Sequence, residues 1–178
     1  CEKIEIEKIK HFISKEALNI DGLGKKVIEK FWELKLIRFP QDIFDLDYKK
    51  ISNLGGWGNQ SVSNLQYSID QSKNVNLEKL IFSLGIRHIG IENAKLIADY
   101  SRNIKTFLDI INGKKLNQFI NIDGIGETQV NSIENFFRKK DNFNIVYQLS
   151  NILSIKSREL SKKGKLKNKT FMFTGKLI

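Results

Sequence analysis

The residues of this chain best suited to chemistry are four short glycine turns, and the chemistry they suit is the holding of phosphate. They read Ile20-Asp21-Gly22-Leu23-Gly24, Leu54-Gly55-Gly56-Trp57-Gly58, Ile86-Arg87-His88-Ile89-Gly90 and Ile122-Asp123-Gly124-Ile125-Gly126. Glycine reaches positive φ without a Cβ clash and lets another backbone come close. The N–H groups of such a turn and of the helix that follows lack intrahelical acceptors and point outward together. A nest of this kind takes a phosphate oxygen without reading a base. The candidate set is Gly22, Leu23, Gly24, Lys25 and Lys26 in the first turn, and Gly56, Trp57 and Gly58 in the second. Arg87, His88, Ile89 and Gly90 follow in the third, and Gly124, Ile125, Gly126 and Thr128 in the fourth. Charge is uneven: lysines follow the first turn, Asn59-Gln60 the second, and Glu127 precedes Thr128.

Two other phosphate motifs fail. A dinucleotide fingerprint needs a preceding strand and a third glycine, but Val27 and Gln129 stand near that place. The stretch Gly164-Lys165-Leu166-Lys167-Asn168-Lys169-Thr170 lacks the glycine that a nucleoside-triphosphate loop sets before its Lys-Thr pair. Any one turn reads equally well as an ordinary helix–helix connection; four in register on a basic chain favour phosphate.

The turns need helices to aim them. After each last glycine, the fourth and seventh residues are apolar: Ile28 and Phe31, Val62 and Leu65, Ala94 and Ile97, Val130 and Ile133. The residues one and four before it are apolar too, so the unit is an internal repeat with helical spacing. Ile6, Ile9, Phe12 and Ile13 mark an amphipathic helix ahead of the first turn, and Pro40 interrupts the chain before the second. Connecting helices are expected over 76–84, 104–111 and 143–153. Trp57 occupies the apolar place between two glycines, which suits packing, and His11 suits a structural role.

The chain has 178 residues, 30 Lys+Arg against 20 Asp+Glu and a net charge of +10, with a pI near 9.6. That balance favours a polyanionic partner. No apolar run approaches a membrane span. A single cysteine excludes an internal disulfide framework and suits a reducing cytoplasm. Because the chain begins at Cys1 and stops at Ile178 within an apolar run, it reads as a piece of something longer. From Ser154 the apolar periodicity fades into lysines, and Thr170-Phe171-Met172-Phe173-Thr174-Gly175 has the character of a strand.

The turns match the helix-hairpin-helix motif, and their surroundings resemble the C-terminal half of bacterial NAD-dependent DNA ligases. The resemblance rests on Cys1 through His11-Phe12-Ile13-Ser14, Ala17-Leu18-Asn19-Ile20-Asp21-Gly22-Leu23-Gly24, Leu84-Gly85-Ile86-Arg87-His88-Ile89-Gly90 and Lys169-Thr170-Phe171-Met172-Phe173-Thr174-Gly175-Lys176-Leu177. It covers essentially the whole chain. It implies an all-α fold of four paired helix-hairpin-helix units, with a short terminal strand from a truncated α/β BRCT domain. The expected divisions are 1–11 (the end of a zinc-finger region and a leading helix), 12–153 (the DNA-binding domain), 154–168 (a basic linker) and 169–178 (the first BRCT strand).

The function the resemblance implies is sequence-independent binding of nicked double-stranded DNA, on its minor-groove side, for a ligase that seals nicks in replication and repair. Catalysis would lie in an adenylation domain absent here, so this piece should be inactive alone and contain no catalytic residue. NAD, Mg and zinc belong to the full-length enzyme, and none is expected on this piece. Cys1 aligns with the last ligand of a four-cysteine zinc finger. No membrane and no obligate protein partner are expected, and the location is cytoplasmic. The alternatives are a hairpin module of an excision-repair nuclease or polymerase, and a helical protein-interaction module.

Overall fold

The computed structural model describes residues 2–159. Helices α1 (Glu2–Ile13) and α2 (Lys25–Glu33) flank the first turn. A 3-10 helix (Pro40–Asp45) and α3 (Tyr48–Ser52) lead to the second turn, and α4 (Asn59–Ser72) leaves it. Strand β1 (Asn74–Asn76) and α5 (Leu77–Ser83) precede the third turn, which opens into α6 (Ile91–Ser101). Then come α7 (Ile104–Asn112), a second 3-10 helix (Leu116–Asn121), the fourth turn, α8 (Glu127–Arg138), α9 (Lys140–Ile152) and β2 (Ser154–Lys156).

The repeat read from sequence is the packing rule of the fold. Ile28, Phe31, Leu65, Ala94, Ile97, Val130 and Ile133 are all buried, and Val62 is half-buried against them. They join α1, α5 and α9 in one continuous apolar core. Pro40 starts its 3-10 helix, where a missing N–H costs nothing. Asp42 Oδ2 accepts from the backbone N–H groups of Arg38 and Phe39, each at 2.8 Å, and closes that corner.

The hairpins pair as first with second and third with fourth. A Cβ at Gly22 would lie 3.4 Å from Leu65 Cδ1 on α4, and the Asp21 N–H donates to Ser68 Oγ of that helix at 2.8 Å. Likewise a Cβ at Gly124 would lie 3.1 Å from Leu96 Cδ1 on α6. His11 is structural: its Nε2 donates to the Phe82 carbonyl at 2.7 Å, tying α1 to the end of α5.

Regular structure continues past residue 153 into the stretch read from sequence as a basic linker. Ser154–Lys156, placed in a basic linker, forms β2 and pairs in parallel with β1, Val75 facing Ile155 in register. Beyond it Arg158 donates to Asp99 Oδ1 at 2.6 Å and to Glu78 Oε1 at 3.1 Å, and its N–H donates to the Arg102 carbonyl at 2.7 Å. Partners some 80 residues apart leave no local pattern. At the other end, α1 runs unbroken through the 11/12 boundary. Cys1, most of the expected linker and the 169–178 strand lie outside the described residues.

Candidate nucleic-acid interface

Each turn is built the same way. Its third residue sits in the left-handed region: Gly22 at φ +89°, Gly56 at +85°, His88 at +62° and Gly124 at +94°. Its fourth residue is apolar and points inward. Leu23, Ile89 and Ile125 are buried, and the ring of Trp57 lies 5.6 Å from that of Phe31. So Trp57 packs between hairpins, as its position suggested. The last glycine is the residue before the helix: Gly24, Gly58, Gly90 and Gly126 precede α2, α4, α6 and α8, all with extended backbone and exposed.

That last glycine is needed neither for its φ nor for packing. Its φ is negative at every turn, and a Cβ on Gly24, Gly58 or Gly90 would meet nothing within 4 Å among the described residues. Two other helices of this chain carry a side-chain cap, whereas α5 and α9 start without one. Asp47 Oδ1 accepts from the Lys50 N–H at 2.9 Å at the start of α3, and Asn103 Oδ1 from the Thr106 N–H at 2.8 Å at the start of α7. None of the four glycines can supply such a bond, although Ser, Asp or Asn would stabilise the helix more. Three of the four helix starts are thereby left with outward N–H groups and an open approach.

The fourth differs. The Gly126 N–H donates to Gln129 Oε1 at 3.1 Å, so its own side chain covers the nest. A Gln three residues into a helix is the sequence signal for that contact.

Charge concentrates on the first turn. Lys25 and Lys26, exposed in the opening turn of α2, form no ion pair among the described residues. Cations at a helix N-terminus oppose the helix dipole, so they do not serve helix stability; an anion there would reverse the sign. Just behind, Lys10 bridges Glu7 (2.8 Å) and Glu29 (3.2 Å), joining α1 to α2. Its hydrogen bond to Lys10 holds the Glu7 carboxyl below its ordinary range. Arg87 and His88 are exposed at the third turn, and Thr128 at the fourth. The cross-hairpin partners Ser68 and Ser132 escape sequence reading, because contacts between distant helices have no periodic signature.

Other chemistries do not fit the described residues. The turns connect helix to helix, with no strand before them, and Val27 and Gln129 leave no dinucleotide cradle. No group of three or more His, Cys, Asp or Glu among the described residues could hold a metal ion. No helix there is long and apolar enough to cross a membrane.

A family model described as the helix-hairpin-helix motif matches residues 79–146, which span the third and fourth turns. The chain is 56% identical over 178 residues to a DNA ligase from Pelagibacter ubique (strain HTCC1062), covering 99% of this chain and 26% of that protein. It is 38% identical over 190 residues to DNA ligases from Rickettsia canadensis (strain McKiel) and Rickettsia bellii (strain OSU 85-389), with 99% of this chain and 28% of each covered. The chain thus spans about a quarter of the length of these curated relatives. Its four hairpins, its helical fold and its near-complete alignment with them fit a C-terminal fragment of a DNA ligase.

Proposed function

We propose that this chain is the part of an NAD-dependent DNA ligase that grips nicked duplex DNA, without regard to sequence, while a separate adenylation domain seals the break. The observation that carries the reading is the set of open helix starts after Gly24, Gly58 and Gly90, where a side-chain cap is missing and nothing among the described residues fills the space beside the glycine. Phosphate oxygens accept from those N–H groups, and Lys25, Lys26 and Arg87 add point charge. Backbone donors aimed at phosphates position a duplex and carry no base information. The first pair of hairpins supplies two such sites and the second pair one, the fourth start being covered by Gln129. NAD, Mg and zinc act elsewhere in the parent ligase in this reading, with Cys1 joining the zinc site, and the piece alone seals nothing.

The test is binding of fluorescein-labelled nicked, intact, flapped and single-stranded DNA across a salt series. Nicked and intact duplex should bind alike in sequence-shuffled versions, with affinity falling steeply as salt rises, because each neutralised phosphate contributes a slope of about −0.9 on a log–log plot. Replacing Lys25 and Lys26 with Gln should flatten the slope by about 2 in total. A preference for flaps or single strands would point instead to a repair nuclease or polymerase. Absence of duplex binding at low salt would leave a protein-interaction module.

A further inference from the structure

The third turn alone puts a side chain in the left-handed position. His88 stands at φ +62° where the other turns have Gly22, Gly56 and Gly124. A Cβ there meets a steric penalty that glycine escapes, so something must hold it. Two contacts do. Asn93 Nδ2, in the first turn of α6, donates to the His88 carbonyl at 3.0 Å. The ring Nδ1 lies 3.1 Å from Ser132 Oγ on α8, a helix of the neighbouring hairpin.

Among the described residues, four helical serines spend their hydroxyl locally, while Ser68, Ser101 and Ser132 do not. The hydroxyls of Ser52, Ser72, Ser83 and Ser150 each donate to the carbonyl three residues earlier. Ser132 makes no such bond among the described residues, and its hydrogen is left for the imidazole. The partner of one ring nitrogen decides which nitrogen carries the proton.

We propose that Ser132 donates to His88 Nδ1 and thereby keeps the ring proton on Nε2, making that N–H a phosphate donor beside the Gly90 helix start. The inference rests on the phosphate-binding reading of the turns. Nε2 has no partner among the described residues, and His88 is exposed next to Arg87. With its proton on Nε2 the ring serves as a directional donor toward a phosphate oxygen, which an arginine's diffuse charge does not replace. Ser132 and Asn93 are positioning residues, and the Ser132 bond also couples the fourth hairpin to the ligand site of the third.

The experiment combines two readouts on the whole chain. Two-bond 1H–15N correlation spectra should show His88 as the Nε2–H tautomer, and Ser132→Ala should move those signals toward a mixture of tautomers, while Ser132→Thr should keep them. Affinity for a fluorescein-labelled nicked duplex should fall about three- to tenfold in Ser132→Ala, as expected for one lost hydrogen bond, and by a similar factor in His88→Gly. Adding Ser132→Ala to His88→Gly should cost nothing more. An Nδ1–H tautomer in the parent chain, unchanged ring signals in Ser132→Ala, or an equal further loss in the His88→Gly background would overturn the proposal. If His88→Gly binds as well as the parent, the Nε2 donor is refuted and the backbone nests stand. If the parent chain binds no duplex, both fall.

Discussion

Gly22 and Gly24 sit two residues apart, and the chain needs them for unrelated reasons. Gly22 serves the fold: at φ +89° a Cβ is strained, even though it would do no more than touch Leu65 at 3.4 Å. Gly24 has an ordinary φ, and a Cβ there would meet nothing within 4 Å among the described residues. The two roles come apart under substitution. Gly22→Ala should lower stability by about 1–2 kcal/mol, the cost of a left-handed residue with a Cβ, as read from the urea midpoint. Gly24→Ser should leave stability unchanged or raise it by a few tenths of a kcal/mol, because serine is the better helix cap. Yet it should weaken duplex binding, since the hydroxyl takes the N–H that a phosphate would use. A Gly24→Ser variant that binds DNA as the parent does would remove Gly24 from the interface.

Two of the helices, α2 and α7, end on a left-handed lysine where glycine is usual. At α2, the Lys35 N–H donates to the Trp32 carbonyl and the Leu36 N–H to the Phe31 carbonyl, at 3.0 and 2.8 Å, with Lys35 at φ +58°. At α7 the same pair of bonds runs from Lys114 to Ile111 and from Lys115 to Ile110, with Lys114 at φ +53°. This is the paired-bond helix stop in which glycine escapes the Cβ penalty. Lys35→Gly should therefore stabilise the chain by about 0.5–1 kcal/mol, a gain typical of helix-cap optimisation, measured as a higher urea midpoint at unchanged slope. A fall in the midpoint would mean that the lysine side chain contributes more by packing than its backbone costs.

At the scale of the whole molecule, closure depends on the last described residues. Strand β2 lies beside β1, and the Ser154 N–H donates to the Lys73 carbonyl at 2.8 Å. The Arg158 side chain, 27% exposed, faces Glu78 and Asp99 at 19% and 44%. Its hydrogen bond to Asp99 holds the guanidinium pKa above its ordinary value. Glu78 Oε2 is buried without a partner among the described residues, so the carboxylate relies on Arg158 for its compensation there. Arg158→Ala should cost about 1–3 kcal/mol, the penalty of leaving a largely buried polar group unpaired. Glu78→Gln in that background should recover part of the loss. If Arg158→Ala leaves the thermal midpoint where it was, the seat of this segment does not contribute to stability.

The sequence by itself determined the repeat. Apolar residues four and seven positions after each last glycine must face inward on a helix of 3.6 residues per turn, and Ile28 and Phe31 do, as do their counterparts at the other turns. It also determined that the helices after the turns start without a side-chain cap, since glycine has none to offer. What it could not carry were relations between distant residues. The parallel pairing of Asn74–Asn76 with Ser154–Lys156, the seat of Arg158 and the approach of Ser132 to His88 join parts 44 to 80 positions apart. A three-residue strand is too short for periodicity to register, and a lysine-rich stretch looks the same whether it links domains or closes one. Local spacing dictates which face of a helix is buried; only the packing of helices on one another decides which buried face meets which.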